Sequence, residues 1–319
     1  MNYTTNATRD SEKRILVIGA AGIDIVGRLT EMPDPGSSVP AEVRPSFGGV
    51  ARNVAENLAK LEQKVNFITA VGQGVFGKLL LNHLKDAGVN IDASIITDEF
   101  HTSSYLAVIS ENGSLNFALD DMRILSKLTP DLIRQHETLI QNACCLFFDA
   151  NVPQETMSVL VEIANQNEIP IYADATSSSL AERLRPHLAS FQLLNANTHE
   201  AEILIDHEFE VTGRTSALKA ARKLVALGVE MVVIPMAEFG VCYATSDTSG
   251  HVPAIKTKIL DPTGAGDALS AALIYGLLND IPLDDTIRLG VKAASLTLRF
   301  PGTVLPGISV EQLYDTTMN

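Results

Sequence analysis

The sequence predicts an α/β fold, in which a mostly parallel sheet is covered by helices on both faces and a small β-flap lies beside it. Short, continuously apolar runs alternate along the chain with amphipathic stretches. Continuous apolar runs are typical of strands buried on both faces, and repeated strand–helix alternation is typical of a parallel sheet. Such sheets bind ligands at the carboxyl ends of their strands, so we expect the functional site there.

Six apolar runs are predicted to be the strands of this sheet. They cover residues 15–18, 65–71, 145–148, 169–173, 191–194 and 231–234. Between the strands, residues 51–61 and 216–227 repeat apolar side chains at helical spacings, which predicts amphipathic helices.

Two further segments break this alternation. Residues 24–47 contain four prolines and show little helical periodicity. Residues 101–121 are predicted to be a β-hairpin, with strands at 105–109 and 115–119 around a turn at 111–113. We expect the two segments to form the flap together.

Composition restricts the classes of function. The chain has 319 residues, 24 of them basic and 38 acidic, and its net charge is −14. A nucleic-acid polymer needs clustered Lys and Arg in its partner, so this charge argues against such a ligand. Apolar residues make up 46% of the chain, which excludes a disordered protein. Three cysteines, two of them adjacent, do not form the pattern of a disulfide framework or a structural zinc site.

The domain organisation is predicted from the same features. No apolar run reaches the roughly 18 residues that a membrane-spanning helix needs, and residues 1–13 lack the apolar segment of a signal peptide. We therefore expect a soluble, cytoplasmic protein with no membrane partner. We interpret residues 1–13 as a mobile tail and 14–319 as one domain, with lid segments inserted at about 24–47 and 101–121.

The most informative segment is Asp-Pro-Thr-Gly-Ala-Gly-Asp at 261–267, because a helical pattern follows it directly. Gly264, Ala265 and Gly266 are small enough for the backbone to approach a ligand closely, and the first amides of a helix favour an anion. If the loop only bound a phosphate, the negative charge of Asp267 beside it would repel that ligand. The carboxylate is explained if it takes a proton from an attacking hydroxyl. An Asp that only caps the helix is the structural alternative.

This motif resembles the C-terminal signature of the ribokinase, or PfkB, family of ATP-dependent carbohydrate and nucleoside kinases. Three more motifs follow the family's order: Asp24 after the first strand, Gly48-Gly49 with Asn53, and an Asn-x-x-Glu sequence at 197–200. The resemblance extends over most of the chain. It implies the ribokinase-like three-layer α/β/α fold, with ATP and Mg²⁺ as cofactors.

On the acceptor side, the resemblance implies that Asp24 and Asn53 hold sugar hydroxyls and that Gly48 and Gly49 let the sugar pack closely. Asp267 would be the base that deprotonates the attacking hydroxyl. The structural alternatives are that Asp24 is a turn residue and that Asn53 is an ordinary exposed helix position.

On the nucleotide side, the resemblance implies that Asn197 and Glu200 orient the magnesium ion through water. Alternatively, Asn197 only caps the helix that follows it. Asp261 and the carbonyls near it are a candidate site for a monovalent cation such as K⁺. The implied ATP-binding residues are Asn195, Glu238, Gly240 and Gly264.

Two residues near the nucleotide loop depart from the family's pattern. Pro235 stands where relatives have Ser or Thr, which removes a hydroxyl and a backbone donor, and Ala237 stands where Gly is usual. These changes put the affinity for ATP in question and keep a non-catalytic ligand-binding relative as an alternative. In addition, residues 72–77 match Gly-x-Gly-x-x-Gly, which alone indicates a dinucleotide site, although the family has a comparable glycine turn here.

The flap most resembles the pseudouridine kinase branch of the family. A Thr-Ser-Ser-Tyr sequence at 102–105 leads into a hairpin that ends in acidic residues before Met122. The resemblance implies phosphorylation of the primary hydroxyl of pseudouridine, with Ser104 and Asp121 in its recognition. Another sugar or nucleoside kinase is the alternative. The exposed edge of the flap further suggests a homodimer.

Overall fold

The protein forms three sheets flanked by helices. The structure is a computed structural model, and it describes residues 13–31, 34, 36–110, 114–206 and 209–315. In these ranges the strands are β1 (Arg14–Ile18), β2 (Gly22–Leu29), β3 (Ala41–Gly48), β4 (Val65–Ile68), β5 (Ala70–Gly72), β6 (Ile95–Thr97), β7 (Ser103–Ile109), β8 (Leu115–Asp121), β9 (Ala143–Asp149), β10 (Ile171–Asp174), β11 (Phe191–Asn195), β12 (Met231–Pro235), β13 (Val241–Thr245) and β14 (Ser249–Val252).

The helices lie between these strands and after them. They are α1 (Val50–Lys60), α2 (Val75–Asp86), α3 (Pro130–Gln135), α4 (Glu137–Gln141), α5 (Gln154–Gln166), α6 (Thr198–Ile205), α7 (Arg214–Ala226), α8 (Ala265–Leu278), α9 (Leu283–Thr297) and α10 (Val310–Tyr314). Short 3-10 helices cover Arg123–Lys127, Ala181–Ser190 and Ala237–Phe239. Across the described ranges, none of the helices is both long and apolar enough to cross a lipid bilayer.

Eight strands form the central sheet, in the order β14-β13-β12-β11-β10-β9-β1-β4. The six strands from β12 to β4 pair in parallel, and β13 and β14 add an antiparallel edge. Five of the six predicted strands lie wholly or largely in this sheet. The predicted α/β fold with a mostly parallel sheet is therefore confirmed.

Apolar side chains alternate between the two faces of the central strands. In β1, Leu16 and Ile18 belong to a core cluster with helices α3 to α7, whereas Ile15 and Val17 belong to a second cluster with α1, α2, α8 and α9. All four side chains are almost fully buried, and each contributes about 1.5–3 kcal/mol to folding. The two clusters hold a helical layer on each face of the sheet.

The two segments that break the alternation form a second sheet of four strands, in the order β3-β2-β7-β8. The predicted hairpin supplies β7 and β8. The proline-containing segment supplies β2 and β3, which the sequence pattern does not reveal. The predicted turn at 111–113, Pro33, Pro35 and the predicted tail over residues 1–12 lie outside the described residues.

The sequence predicted one strand over residues 65–71, but this apolar run forms two. Strand β4 ends at Ile68, and β5 pairs with β6 in a separate two-stranded sheet. The chain leaves the central sheet at Thr69, whose buried hydroxyl donates to the Gly19 carbonyl at 2.7 Å and whose carbonyl accepts from the Ile95 amide at 2.8 Å. Because both halves of the run are buried, hydrophobicity alone does not show the break.

Candidate active site

The predicted anion-binding loop, Gly264-Ala265-Gly266, lies at the carboxyl end of the central sheet. Asp174 and Asn195 are the last residues of β10 and β11, and both contact Ser270 near the start of α8. The Asn195 amide donates to Ser270 Oγ at 2.8 Å, and this hydroxyl donates to Asp174 Oδ2 at 3.4 Å. These bonds hold the N-terminus of α8 over the strand ends, where parallel sheets bind their ligands.

The residue that opens α8 must be glycine. Gly264 has φ +79, in the left-handed region, and a Cβ there would overlap the carbonyl oxygen of Thr303. Ala265 and Gly266 form the beginning of the helix, and no side chain of the N-cap residue bonds to its first amides. These amides are therefore available to a ligand, as an anion site requires.

Asp267 is a buried carboxyl group on the first turn of α8, with 8% of its surface exposed. Its Oδ2 accepts a hydrogen bond from Asn53 Nδ2 at 2.6 Å. Burial raises the pKa of Asp267 from 3.8 to about 8, and Asp174 adds to the rise, whereas Asn53 and Arg52 lower it. The N-cap of α8 is Gly264, so the geometry does not favour the alternative in which Asp267 only caps the helix.

Gly48, Gly49 and Asn53 come together with Asp24 because β3 pairs with β2 and runs directly into α1. A Cβ on Gly48 would overlap the Asp24 carboxylate, and one on Gly49, whose φ is +96, would overlap the Ala20 carbonyl. Asn53 is buried rather than exposed, and its Oδ1 has no hydrogen-bond partner among the described residues. This oxygen can accept a hydrogen bond from a hydroxyl group of a ligand.

Asp24 lies within β2 and not in a turn. Burial raises its pKa from 3.8 to about 6; the nearby Arg52 opposes this rise and Asp261 adds to it. The carboxylate therefore lies in a partly desolvated environment, where a hydrogen bond from a ligand hydroxyl is stronger than in water.

Two more buried carboxylates, which the sequence reasoning did not select, lie at the ends of neighbouring strands. Asp149 Oδ2 accepts from the amides of Ala20 and Ala51 at 3.0 and 2.9 Å, and Asp174 Oδ1 accepts from the Thr176 amide at 2.8 Å. Burial raises the pKa of both, that of Asp174 to about 6. Each of these aspartates is the last residue of its strand, at the edge where the ligand site was expected. An acidic residue directly after an apolar run is therefore a sequence feature that could have identified both.

Asn197 and Glu200 form a capping box at the start of α6. The Glu200 amide donates to Asn197 Oδ1 at 3.0 Å, and the Glu200 carboxylate accepts from the backbone and side-chain nitrogens of Asn197 at 2.8 and 2.7 Å. Burial raises the pKa of Glu200 from 4.5 to about 7, with Asp174 adding to it. Asn197 thus caps the helix, and the Glu200 oxygens keep lone pairs for a further donor or hydrated cation.

The other predicted nucleotide residues lie in two environments. Asn195 is buried, and its amide is bonded to Asp174 at 2.9 Å as well as to α8. Glu238 is exposed in the 3-10 helix after β12, which Gly240 ends with φ +91. In the same turn Ala237 has φ +48, which costs a residue with a side chain about 1–3 kcal/mol. Glycine would adopt this conformation without that strain.

Asp261 lies before the anion-binding loop and is half-buried. Its Oδ1 accepts from the Thr263 amide at 2.9 Å. In the part of the chain that the structure describes, no three His, Cys, Asp or Glu side chains are grouped to hold a metal ion. Magnesium commonly takes most of its ligands from substrate phosphates and water, with one or two from protein carboxylates.

A comparison with models of known protein families shows which family this chain belongs to. A model of the pfkB family of carbohydrate kinases matches residues 12–309. The chain belongs to the pfkB family of carbohydrate kinases. Among curated relatives of this pfkB-family kinase, pseudouridine kinase from Escherichia coli (strain K12) is 30% identical over 306 residues, which cover 96% of each chain. Guanosine-inosine kinase from Exiguobacterium acetylicum is 28% identical over 284 residues, 88% of this chain and 93% of the relative.

Solved structures support the same fold for the pfkB-family kinase. A carbohydrate kinase from Agrobacterium tumefaciens has a TM-score of 0.81 at 27% identity and covers 94% of this chain and 95% of its own. Arabidopsis thaliana ribokinase, complexed with ribose and ATP, has a TM-score of 0.85 at 20% identity, covering 95% and 99%. The protein is therefore a sugar or nucleoside kinase with a ribokinase-like fold.

The strand register of the flap in the pfkB-family kinase places two predicted recognition residues, Ser104 and Asp121, on a different face from Asp24. Strand register pairs Asp24 with Tyr105 and Tyr105 with Asp120, so these three share one face of the sheet, here called the Asp24 face. Ser104 and Asp121 pair with each other and lie on the opposite face. Successive side chains of a strand point to opposite faces, so the predicted pair is displaced by one residue from the face that carries Asp24.

The glycines at 72–77 are explained by packing in the pfkB-family kinase. Gly72 ends β5, and a Cβ there would press on the backbone at 100–102. A Cβ on Gly77, in the first turn of α2, would overlap the Gly72 carbonyl. The close approach of this turn to its neighbours accounts for two of the three glycines without a dinucleotide.

Proposed function

We propose that the kinase transfers the γ-phosphoryl group of ATP to the primary hydroxyl of a ribosyl compound, and that pseudouridine is its substrate. The observation that carries the proposal is the buried Asp267 carboxyl group, bonded to Asn53 on one side and placed at the start of α8. This arrangement sets a base beside an anion-binding helix terminus. Transfer of a phosphoryl group to an alcohol uses both.

Asp267 removes the proton of the attacking hydroxyl. An alcohol is a weak nucleophile at neutral pH, and a positioned base typically accelerates such a step by about 10²–10⁴. Burial keeps the pKa of Asp267 near 8, so its ionised form is a stronger base than an exposed carboxylate. The amides of Gly264, Ala265 and Gly266 stabilise the negative charge of the phosphoryl oxygens as the group moves.

The sugar is held by Asp24 and Asn53. The Asp24 carboxylate accepts hydrogen bonds from sugar hydroxyls, and the unpartnered Asn53 Oδ1 accepts another beside the base. Gly48 leaves room for the Asp24 carboxylate, which a side chain at position 48 would displace. The substrate is thus oriented by residues that are themselves fixed by the β2–β3 pairing.

ATP and Mg²⁺ are proposed at the opposite side of the anion-binding loop, with Asn195, Glu238 and Gly240 near the nucleotide. The residues fit a hydrated magnesium ion: Glu200 retains lone pairs, and its pKa is raised by burial and by Asp174, which an added cation would counteract. When bound, magnesium would supply positive charge that offsets the negative charge of the phosphates. Asn197 orients Glu200, and Asp261 is the proposed ligand of K⁺.

We propose that the flap acts as a lid whose side chains contact the nucleobase of the substrate. Tyr105 and Asp120, on the Asp24 face, are the residues placed to contact it. Tyr105 offers an aromatic surface, and Asp120 offers a carboxylate that accepts N–H groups. The base of pseudouridine is attached through carbon and so keeps an N–H that uridine lacks. A carboxylate acceptor therefore favours pseudouridine.

A homodimer is proposed through the other face of the flap. This face exposes large apolar side chains, each 37–63% accessible: Val43, Leu106, Phe117 and Leu119. A contiguous apolar patch of this kind marks an interaction surface. Sedimentation of the wild type and of Leu119→Glu tests it: the variant should be monomeric where the wild type is dimeric.

The function is tested by an ADP-release assay over pseudouridine, uridine, guanosine, inosine, ribose and fructose, with and without magnesium. We expect magnesium-dependent turnover, with kcat/KM for uridine about tenfold or more below that for pseudouridine, because the Asp120 carboxylate would lose its donor. Equal turnover of guanosine or ribose would assign another substrate. Binding without turnover of any compound would favour the non-catalytic alternative that Pro235 and Ala237 raise.

A further inference from the structure

We propose that Arg52 is a positioning residue, whose buried guanidinium clamps the flap, helix α1 and the segment beside Gly264 into the arrangement that Asp267 needs. The inference rests on the proposed function, because the arrangement is argued to be the reactive one.

The guanidinium of Arg52 is bonded through all three of its nitrogen atoms, although only 1% of the residue is exposed. Nε donates to the Gly48 carbonyl at 3.2 Å, and Nη2 donates to the Phe47 carbonyl at 2.7 Å and to Thr303 Oγ1 at 2.6 Å. Nη1 donates to Glu56 Oε2 at 2.5 Å. Arg52 therefore joins α1 to two segments: the end of β3, four and five residues before it, and Thr303, 251 positions after it.

The first of these segments is the end of the flap. Phe47 and Gly48 are the last residues of β3, and β3 pairs along its length with β2, which carries Asp24. Two bonds from one side chain to successive carbonyls fix the point at which the flap leaves the core. The position of Asp24 relative to Asp267 depends on that point.

The second segment packs on the anion-binding loop. Thr303 accepts from Arg52 and donates from the same Oγ1 to the Phe47 carbonyl at 2.7 Å. The carbonyl of Thr303 lies so close to Gly264 that a Cβ on the glycine would not fit. A displacement of Thr303 would therefore move the loop whose amides are proposed to hold the phosphoryl group.

Only arginine has the geometry for this clamp. Its rigid planar fork presents donors in several directions, whereas lysine has one nitrogen on a flexible chain. Lysine at position 52 would keep the charge beside Glu56, but it could not bond to Glu56, the β3 carbonyls and Thr303 together. The Arg52→Lys variant thus tests the hydrogen-bonding geometry of the guanidinium separately from its positive charge.

The charge of Glu56 is also held by other side chains. His83 Nε2 lies 3.0 Å from Glu56 Oε2, and Lys60 Nζ lies 3.6 Å from Oε1. His83 also stacks on Phe47, with 4.7 Å between ring centroids. Glu56 therefore keeps partners when Arg52 is changed. A cavity of about 460 Å³ beside Arg52, Glu56 and His83 gives small ions access to the clamp.

The test compares Arg52→Lys, Arg52→Ala and a matched control, Lys60→Gln, in the full chain. Lys60 also pairs with Glu56, but its other bond goes to the Pro306 carbonyl and not to the flap. We expect Arg52→Lys to lower kcat about tenfold or more and to raise the KM for the acceptor more than the KM for ATP. Lys60→Gln should stay within about twofold of the wild type.

Chemical rescue distinguishes positioning from a general loss of structure. Guanidinium chloride, below denaturing concentrations, should restore part of the activity of Arg52→Ala, and sodium chloride at equal ionic strength should not. If Arg52→Ala does not fold, Thr303→Val removes both bonds of the hydroxyl without exposing the buried charge and should lower kcat in the same way. Wild-type kinetics in Arg52→Lys, or equal effects of the two salts, would overturn the proposal.

Amide hydrogen exchange provides a measurement without substrate. Exchange in β3 and at 299–304 should be faster in Arg52→Lys than in the wild type and unchanged in Lys60→Gln. Unchanged exchange in β3 would overturn the clamp even if activity fell. If the wild type phosphorylates no compound in the panel, the proposed function fails, while the exchange result still decides whether Arg52 holds the flap.

Discussion

The side-chain amide of Asn53 donates to Oδ2 of Asp267 over 2.6 Å, between residues 214 positions apart in the sequence. The bond joins the helix that follows the flap to the helix that begins at the anion-binding loop. It orients the carboxylate and leaves Asn53 Oδ1 unpartnered among the described residues. One residue pair therefore links the proposed sugar site to the proposed base.

Replacing the base should impair chemistry and spare binding. Asp267→Asn keeps the shape and the possibility of a bond to Asn53, but it cannot take a proton. We expect kcat to fall by about 10²–10⁴, with the dissociation constant of the acceptor changed by less than about threefold. Steady-state kinetics and calorimetric titration measure the two quantities. A kcat equal to that of the wild type would remove Asp267 from the mechanism.

The pH dependence of the rate should report the raised pKa of Asp267. The base acts in its ionised form, so kcat/KM should rise with pH and level off above a pKa of about 8. The profile of kcat should show the same rise, at the pKa that the carboxyl group has in the substrate complex. Rate profiles in overlapping buffers test this. An acid limb near pH 4 in both parameters would contradict the buried environment of the base.

The stability of the protein should also depend on the titration of Asp267, but it should fall as pH rises, whereas kcat/KM increases. The pKa of Asp267 is 3.8 when exposed and about 8 when folded, so the folded state binds its proton more tightly. The resulting stabilisation is complete below pH 4 and is lost as pH rises to about 8. Asp267→Asn lacks this loss, so its melting temperature relative to the wild type should increase between pH 5 and pH 8. A difference that does not vary with pH would contradict the assignment.

The two glycines of the anion-binding loop should respond differently to alanine. Gly264→Ala adds a Cβ at φ +79 against the Thr303 carbonyl and should lower the free energy of unfolding by about 1–3 kcal/mol. Gly266→Ala is the matched control, because its Cβ would meet nothing within 4 Å and alanine stabilises a helix by about 0.5–1 kcal/mol. Denaturant titrations of both variants measure this, and equal changes would argue against the geometry at Gly264.

Specificity should depend on the Asp24 face of the flap. We expect Tyr105→Ala and Asp120→Asn to reduce the preference for pseudouridine over uridine by about tenfold or more. Ser104→Ala and Asp121→Asn, on the opposite face, should leave that ratio within about twofold, although they lie one residue away. Competition between the two nucleosides gives the ratio directly. The reverse pattern would show that the strand register is not the one that contacts substrate.

The sequence predicts those features that depend on local patterns. The start of α8 is marked by small residues and a helical period, so the loop at 261–267 is found correctly. The glycines at 48 and 49 are also local signals, since they mark a sharp entry into α1. The predicted parallel sheet follows from apolar runs that need no knowledge of their neighbours.

Features that depend on distant contacts are not predicted. Asp149 takes its place in the site through the amide of Ala51, 98 positions away, and Arg52 bonds to Thr303 across 251 positions. The faces of Ser104 and Asp121 depend on strand register, and a shift of one residue reverses every side chain. Hydrophobicity also does not separate β4 from β5, because the break is made by hydrogen bonds of Thr69 to Gly19 and Ile95.

The most direct test of the central claim is a crystal structure with pseudouridine and a non-hydrolysable ATP analogue bound. We expect an Asp267 carboxylate oxygen within about 2.6–3.2 Å of the primary hydroxyl of the ribose, or joined to it by one water. We also expect the terminal phosphate at the amides of Gly264, Ala265 and Gly266. A primary hydroxyl that lies beyond reach of Asp267 while both ligands are fully bound would contradict the proposed role of Asp267.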